Sequence, residues 1–195
     1  MKKQFFSLLM FVSFVGFAQE EKEAITHKSE LSLNVFDLVV AGTVHVGYER
    51  FLENNQSFSI DGYLKDSYGY FDTAYQDENT VYSIRGAYNI YFSNSKQHHG
   101  FHFYPFLKLR TGKQSSDYSY TYYDENGNIS TMILKDEEDL SGITAGFGVG
   151  HKWLFNNKIT LGINGELGRE LSNSFNTDYY STVEPRFVIK FGFRF

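Results

Sequence analysis

The feature that most constrains the fold is the strict alternation of the C-terminal residues 185–195. The apolar positions are Phe187, Ile189, Phe191, Phe193 and Phe195. A period of two predicts a β-strand with one apolar face and one mostly polar face. Because a terminal strand in water is usually frayed, five aligned apolar side chains that end on an aromatic residue favour a strand that closes a barrel within a lipid bilayer.

Composition narrows the classes of function. The chain has 195 residues, which suits a single domain with short appendages. Aromatic residues make up 18% of it and favour extended strands, since they fit a pleated surface. The formal net charge of -5 has the wrong sign for binding nucleic acid. The absence of cysteine excludes disulfides, thiolate catalysis and thiolate metal sites.

The N-terminus has the pattern of a secretory signal. Two lysines precede an apolar run at residues 5–17, which is too short to span a bilayer as a helix. Gly16 and Ala18 provide the small residues of a cleavage site. The alternative is an uncleaved N-terminal anchor helix. The expected organisation is a signal peptide at 1–18, a flexible periplasmic lead at 19–29 and an outer-membrane β-barrel at 30–195.

Eight segments with strand-like alternation follow the lead. They are residues 30–36, 43–52, 58–65, 81–92, 101–112, 140–155, 159–171 and 185–195. From the second segment onward, short Asn-rich connections alternate with long polar ones, which is typical of barrels with short periplasmic turns and longer external loops. The sequence therefore predicts an all-β fold, an eight-stranded antiparallel up-and-down transmembrane β-barrel. The short connection at 37–42 departs from this pattern, and we interpret it as a one-turn insert.

Alternation alone does not tell which face meets water, because a secreted lipocalin-like barrel has the same period. Two features favour an apolar exterior. Gly146 and Gly148 lie on the polar face, where a narrow lumen needs room for side chains such as Tyr104. The apolar face carries charge only at Arg50 and Arg169, both near strand ends.

Aromatic residues on the apolar face provide a third feature, because they are sorted by height. This sorting is typical of the aromatic girdles at the two interfaces of a bilayer. The predicted interface aromatics are Tyr82 near the long-loop side and Phe92, Phe101, Trp153 and Phe155 near the short-turn side.

The polar face then becomes the barrel interior, which in an eight-stranded barrel is just wide enough for side chains to fill. The predicted interior polar network is Glu49, Asp61, Arg85, Lys108, Arg110, Lys152, Glu166, Arg186, Lys190 and Arg194. The same face carries His45, Lys65, His102 and Glu170. Both signs of charge are present, so we expect the side chains to pair and to obstruct a wide pore.

The signal peptide, the eight alternating segments and the terminal aromatic run together resemble the small outer-membrane β-barrels of the OmpA transmembrane-domain and OmpX type. The resemblance covers the whole mature chain. It implies an outer-membrane location in a Gram-negative bacterium. It also implies that the run from Phe187 to Phe195 is the signal read by the barrel-assembly machinery. One departure is that no periplasmic peptidoglycan-binding domain follows the barrel, so a cell-wall anchoring role is not implied.

Candidate catalytic and metal sites are weak. Some outer-membrane barrels are lipid-modifying enzymes with an outward Ser–His–acid set, and His151 faces outward here without such companions. His98, His99 and His102 offer metal ligands, but solvation in a turn is the favoured interpretation. The residues around 124–128 lack the spacing of a calcium loop and instead indicate a turn. We therefore predict no catalytic residue, no metal site and no cofactor.

The segment from Lys113 to Asp139 is the most distinctive surface. Its Asn126-Gly127 pair favours a type I′ hairpin after four tyrosines, so its strands are expected to protrude as a ribbon. The acidic run at 136–139 is either a solvated patch or a site for divalent cations that bridge to lipid phosphates.

We predict a monomeric, non-enzymatic outer-membrane barrel with a structural or cell-surface interaction role. The expected partners are outer-membrane lipids, the barrel-assembly machinery and an extracellular ligand that binds the segment from Lys113 to Asp139. No nucleic-acid partner is expected. The alternative functions are a narrow channel and, less favoured, an outer-membrane enzyme that modifies lipids.

Overall fold

A computed structural model describes residues 27–66, 78–93, 97–123, 129–172 and 183–195. The predicted signal peptide and most of the predicted lead lie outside these ranges. The strands are β1 (Ser29–Asn34), β2 (Val44–Phe51), β3 (Gln56–Leu64), β4 (Glu78–Asn79), β5 (Tyr82–Tyr91), β6 (Gly100–Thr111), β7 (Lys113–Tyr123), β8 (Ile129–Asp139), β9 (Gly142–Phe155), β10 (Ile159–Glu170) and β11 (Val183–Arg194). One helix, α1 (Val35–Ala41), lies between β1 and β2.

Eight of the strands form a closed antiparallel barrel. Going around the wall the order is β1, β2, β3, β5, β6, β9, β10 and β11, and β11 pairs back with β1. Each barrel strand neighbours the next one in the chain, so the topology is up-and-down. The predicted eight-stranded antiparallel barrel is confirmed. The end that bears the tight turns and both Ser29 and Phe195 is called the turn end, and the opposite end is called the loop end.

The register gives the shear of the barrel. A line of paired residues that starts at Glu30 passes through seven further strands and reaches β11 at Glu184. The direct pairing of β1 with β11 instead joins Glu30 to Arg194, ten residues away. With standard strand spacing and rise, eight strands and a shear of ten correspond to a tilt of about 40°. Such a barrel is narrow, and side chains fill its interior.

The first connection differs from the prediction. Residues 35 and 36, predicted to end the first strand, belong to α1, which extends to Ala41. The Asn34 side chain caps the helix by accepting the N–H groups of Phe36 and Asp37. Gly42 ends it in the left-handed region, at φ 65°. None of the helical structure in the described ranges is long and apolar enough to cross a membrane.

A second sheet protrudes from the loop end. The two strands β7 and β8 pair along their whole length from Lys113–Asp139 to Tyr123–Ile129, and β4 joins the base of β7. They continue the β6–β9 hairpin beyond Gly112, whose φ of 130° marks the junction. The predicted ribbon is therefore present, and we call it the ribbon below. The predicted Asn126-Gly127 turn lies outside the described residues.

The two faces of the barrel wall differ sharply. Large apolar side chains such as Ile60, Ile84 and Leu107 are more than half exposed on the outside. Inside, the Tyr104 ring lies where a side chain at Gly148 would stand, so glycine makes room for it. The interior is mostly polar, with a small cluster of Ala87, Tyr104 and Phe106 and with further buried apolar side chains at Phe51, Leu154 and Val188.

Candidate functional site

Among the residues that the structure describes, the barrel interior holds equal numbers of acidic and basic side chains. Its seven carboxylates are Glu30, Asp37, Glu49, Asp61, Asp66, Glu166 and Glu184. Its seven Lys and Arg residues are Arg85, Lys108, Arg110, Lys152, Arg186, Lys190 and Arg194. These side chains form three clusters stacked along the barrel axis. Balance between the signs matters because an unpaired charge in a low-dielectric interior costs several kcal/mol.

The upper cluster, near the loop end, joins three cations to two carboxylates. Lys108 Nζ lies 2.7 Å from Asp66 and 3.2 Å from Glu184. Arg110 bonds the same two carboxylates at 3.1 and 2.7 Å. Arg186 donates to Glu184 at 3.0 Å and also to Asp66. Every one of these side chains is nearly completely buried, so the cluster closes the lumen at this height.

The middle cluster centres on Arg85. Its guanidinium donates to Asp61 at 2.7 Å and also to Glu166. Lys190 Nζ lies 2.5 Å from the same Asp61 carboxylate. The Tyr104 hydroxyl donates to Glu166 at 2.8 Å, so that carboxylate has partners from two strands. Each of the two carboxylates therefore accepts hydrogen bonds from two side chains, which compensates its burial better than one ion pair would.

His45 bridges the middle and upper clusters. Its Nε2 lies 3.1 Å from Asp61, and its Nδ1 lies 3.2 Å from Asp37. Asp37 is held in turn by Arg186 at 3.2 Å. The His45 ring stacks on Tyr63 with the ring centroids 4.0 Å apart. Helix α1, which carries Asp37, is thereby tied to the interior of the barrel.

The lower cluster lies near the turn end. Lys152 Nζ lies 3.1 Å from Glu30 and 2.5 Å from Glu49. Arg194 Nε lies 3.0 Å from Glu30. The Tyr91 hydroxyl donates to Glu49 at 2.5 Å. Glu30 and Arg194 also pair across the seam where the first and last strands meet, so this cluster fastens the closure of the barrel.

Residues 97 and 98, which precede β6, pack against interior side chains at the turn end. Arg194 donates to the carbonyl oxygens of Gln97 and His98, both at 2.7 Å. The buried His98 ring stacks on Phe51, and its Nε2 lies 2.7 Å from the Leu52 carbonyl oxygen. Burial lowers the pKa of His98 because the charged ring loses water. Within the described ranges, no group of three or more potential ligands is arranged to hold a metal ion.

A cavity lies between the middle and lower clusters. Its volume is about 40 Å³, and Asn89, His102, Asn164 and Lys190 are among the residues that line it. A polar space of this size accommodates about three water molecules. The side-chain oxygen Oδ1 of Asn164 is buried and accepts no hydrogen bond from the described residues, and buried polar atoms of this kind usually bond to ordered water.

All members of the predicted interior network face the lumen and belong to the three clusters. Of the wider inward set, His45 and His102 also lie inside, whereas Glu170 lies at the rim and accepts a hydrogen bond from Thr144 at 3.1 Å. Lys65 is exposed at the end of β3, where a φ of 55° breaks the alternation. Sequence reasoning omitted four interior carboxylates: Glu30, Asp37, Asp66 and Glu184.

The predicted interface aromatics all lie on the outer face. Tyr82, Phe92 and Phe101 are more than half exposed, and Phe92 packs against Phe101 with 5.8 Å between ring centroids. Trp153 and Phe155 are partly covered, and Trp153 lies 4.4 Å from the ring of His151. In the terminal run, Phe187, Phe191, Phe193 and Phe195 are exposed on the same face, and Ile189 is partly covered.

The ribbon exposes apolar side chains on both of its faces. Tyr120, Tyr122 and Met132 lie on one face, and Tyr123 and Ile133 lie on the other. From 119 to 123 and from 129 to 134 the two strands carry no charged residue. In the described residues of the ribbon, 113–123 and 129–139, the charged residues that deter edge pairing are therefore confined to its base.

No family model matches the chain, and no curated protein matches it. Among solved structures, the N-terminal β-barrel domain of Pseudomonas aeruginosa OprF is similar at 14% identity and a TM-score of 0.45. The match covers 87% of this chain and 98% of that one. Neisserial surface protein A (NspA) is similar at 13% identity and a TM-score of 0.42, with 86% and 92% of the two chains covered.

Proposed function

We propose that this protein is an outer-membrane β-barrel with a structural or cell-surface interaction role. The observation that carries the proposal is the inverted distribution of polarity across the barrel wall. Balanced ion clusters lie inside the barrel, and a continuous belt of Phe, Ile, Leu and Val lies outside. Contiguous apolar surface on this scale is unfavourable in water, whereas in a bilayer it contacts hydrocarbon.

The filled lumen supports a structural or binding role over a wide diffusion pore. Ion clusters cross the lumen at three heights, and residues 97 and 98 pack against interior side chains at the turn end. Opening a path would require separation of several buried ion pairs. Removing one partner of such a pair costs about 3–5 kcal/mol.

The ribbon is the surface that we assign to interaction. It is attached to the loop end, and its uncharged stretches at 119–123 and 129–134 expose Tyr, Ile and Met side chains together with sheet edges. An exposed strand edge recognises a partner by main-chain hydrogen bonds, and its side chains then select among partners. We infer an extracellular ligand that binds there, and we propose no enzymatic role.

The cellular setting follows from the same proposal. The signal sequence would direct the chain across the inner membrane of a Gram-negative bacterium, and cleavage after Ala18 would release it. The exposed phenylalanines of β11 would then serve as the signal for the barrel-assembly machinery. The turn end would face the periplasm and the ribbon would face outward, because external loops are the longer ones in such barrels.

The decisive test is whether the outer face of the barrel contacts lipid or water. The chain has no cysteine and one tryptophan, Trp153, whose partly covered ring lies on that face. After refolding into vesicles made with brominated phospholipids, we expect Trp153 fluorescence to be quenched and unboiled protein to migrate differently from boiled protein on a denaturing gel. Protein that stays monodisperse in buffer without detergent, with an unquenched Trp153, would contradict the proposal.

The cavity between the middle and lower clusters favours a narrow channel as the second candidate. Its polar lining and volume of about 40 Å³ provide a short hydrated section of lumen. Planar-bilayer conductance separates the two candidates. We expect no stable conductance steps from the filled barrel. Reproducible steps that increase in Lys108→Ala, which opens the upper cluster, would favour the channel.

A further inference from the structure

The barrel wall is incomplete as a sheet near the loop end. β1 has six residues, and its last residue Asn34 lies opposite Lys190. β11 continues for seven residues beyond that point, to Val183. On the other side of β1, β2 begins only at Val44. A notch in the wall therefore lies above β1, between the upper part of β11 and the start of β2.

Helix α1 occupies this notch. The Phe36 ring packs edge-on against Phe187 on the outer face of β11, with 5.2 Å between centroids. Asn34 Oδ1 accepts the backbone N–H of Ile189 at 3.2 Å. Phe187 is the fifth of the twelve residues of β11, so α1 begins within the height of the wall and not above it. The helix thus replaces the upper part of a strand.

The polarity of α1 matches that of the wall. Its sequence is VFDLVVA, and its one polar side chain, Asp37, is fully buried and turned toward the lumen. Leu38, Val39 and Val40 are exposed by 40%, 80% and 45%. A helix whose outer side faced water would carry polar residues there. On α1 that side is entirely apolar, and it continues the outer belt through Phe187.

The backbone of α1 is also suited to a place within hydrocarbon, where unsatisfied polar groups are costly. At its start, Asn34 accepts the N–H groups of Phe36 and Asp37 at 3.1 and 3.4 Å. At its end, the N–H groups of Gly42 and Thr43 both donate to the Asp37 carbonyl oxygen. These caps satisfy four N–H groups at the helix ends and the Asp37 carbonyl oxygen without water.

We propose that α1 is a lipid-facing part of the barrel wall, with Leu38, Val39 and Val40 in contact with the acyl chains of the outer leaflet. Asp37 latches the helix by its ion pair with Arg186 and by its contact with His45 Nδ1, at 3.2 Å each. This inference rests on the proposed outer-membrane function. It adds that a helix of about two turns, rather than a β-strand, seals the notch between lumen and bilayer.

Single-cysteine variants test the environment of α1, because the chain has no native cysteine. Val39→Cys is compared with Ile84→Cys on the outer belt and with Tyr123→Cys on the ribbon. Each is labelled with a nitroxide and reconstituted in phosphatidylcholine vesicles. Collisions with lipid-soluble oxygen and with a water-soluble nickel chelate are measured by electron paramagnetic resonance. We expect the label at Val39 to resemble that at Ile84, with oxygen collisions dominant.

The outcomes separate this inference from the proposed function. A label at Val39 that behaves like the one at Tyr123, while the Ile84 label stays in lipid, overturns the inference alone. A label at Ile84 that is accessible to the nickel chelate overturns the membrane proposal itself, and this inference with it.

The role of Asp37 in holding the helix is tested in the Val39→Cys variant. Asp37→Ala, added to Val39→Cys, should raise the mobility and nickel accessibility of the label at Val39 and leave the Ile84 label unchanged. Asp139→Ala is the matched control, because it removes an exposed carboxylate outside the barrel. Gel migration of unboiled protein selects samples that have folded, and Asp37→Asn provides a milder variant. An unaltered Val39 spectrum in folded Asp37→Ala overturns the latch.

Discussion

The hairpin that runs up β6, through the ribbon and back down β9 passes through two regions built from the same kind of strand pair. Below Gly112, side chains alternate strictly, with Lys108 and Arg110 inside and Leu107 and Leu109 outside. Above Gly112, exposed Tyr, Thr, Ile and Met occur on both faces. A strand alternates in polarity when its two faces meet different surroundings. The two faces of a barrel strand meet the lumen and the exterior, whereas both faces of the ribbon are exposed.

Breaking one ion pair in the barrel and one in the ribbon should produce the largest difference between the two regions. In the barrel, Arg85→Leu leaves Asp61 and Glu166 buried with less compensation, so we expect a loss of about 3–5 kcal/mol in the free energy of unfolding. In the ribbon, Lys113→Leu removes the exposed pair with Glu137 at 3.5 Å, and we expect a change within about 1 kcal/mol. Urea unfolding in vesicles, followed by Trp153 fluorescence, measures both. Similar small losses would mean that the interior pairs are as well hydrated as surface pairs.

A charge placed on an apolar surface should also distinguish the regions. Phe147→Arg lies on the outer face midway along β9 and should destabilise the membrane-inserted barrel by about 2–4 kcal/mol. Ile133→Arg, on an exposed face of the ribbon, should alter stability by no more than about 0.5 kcal/mol. The same unfolding assay applies, together with the yield of heat-modifiable protein. Equal insertion of wild type and Phe147→Arg would count against an outer face in contact with lipid.

A third pair of substitutions compares the inner and outer faces of the barrel wall. A Cβ at Gly148 would overlap the Tyr104 ring, whereas a Cβ at Gly62 meets no atom within 4 Å. We expect Gly148→Ala to cost about 1–3 kcal/mol by overpacking the lumen. Gly62→Ala should be nearly neutral. The prediction fails if the two substitutions lower the urea midpoint equally.

The residues that alternation could and could not assign to the interior follow the same physical division. Strict alternation identified Arg85, Glu166 and Lys190 as interior residues because each lies within a strand whose faces meet different surroundings. The same reasoning did not identify Asp37, because a helix interrupts the period of two. Asp66 follows Lys65, whose left-handed backbone resets the alternation.

Two of the omitted carboxylates carried a usable signal. Glu184 lies two residues before Arg186, so extending the last strand to Val183 places both side chains on the same face. Glu30 begins the first predicted segment, and its alternation with Leu31 indicates the interior. Which carboxylate meets which cation was not predictable, because the pairs join residues as far apart as Asp37 and Arg186. Those contacts depend on the shear of the closed barrel.

The smallest expected effect lies at the junction of the two regions, where Asp139 ends the ribbon. Its carboxylate accepts the Ser141 backbone N–H at 2.8 Å, and hydrogen bonds from the Ser141 side chain and backbone lower the pKa of Asp139. A depressed folded-state pKa stabilises the junction above the unfolded-state pKa, and this contribution disappears as pH falls through the folded value. We therefore expect a lower protection factor for the Ser141 amide, which compares its exchange with that of an unstructured chain at the same pH, below about pH 4, where an ordinary Asp is about half protonated. In Asp139→Asn the acid-dependent loss of protection should be absent while the barrel amides are unaffected, and a loss that persists in this variant would assign the effect to another group.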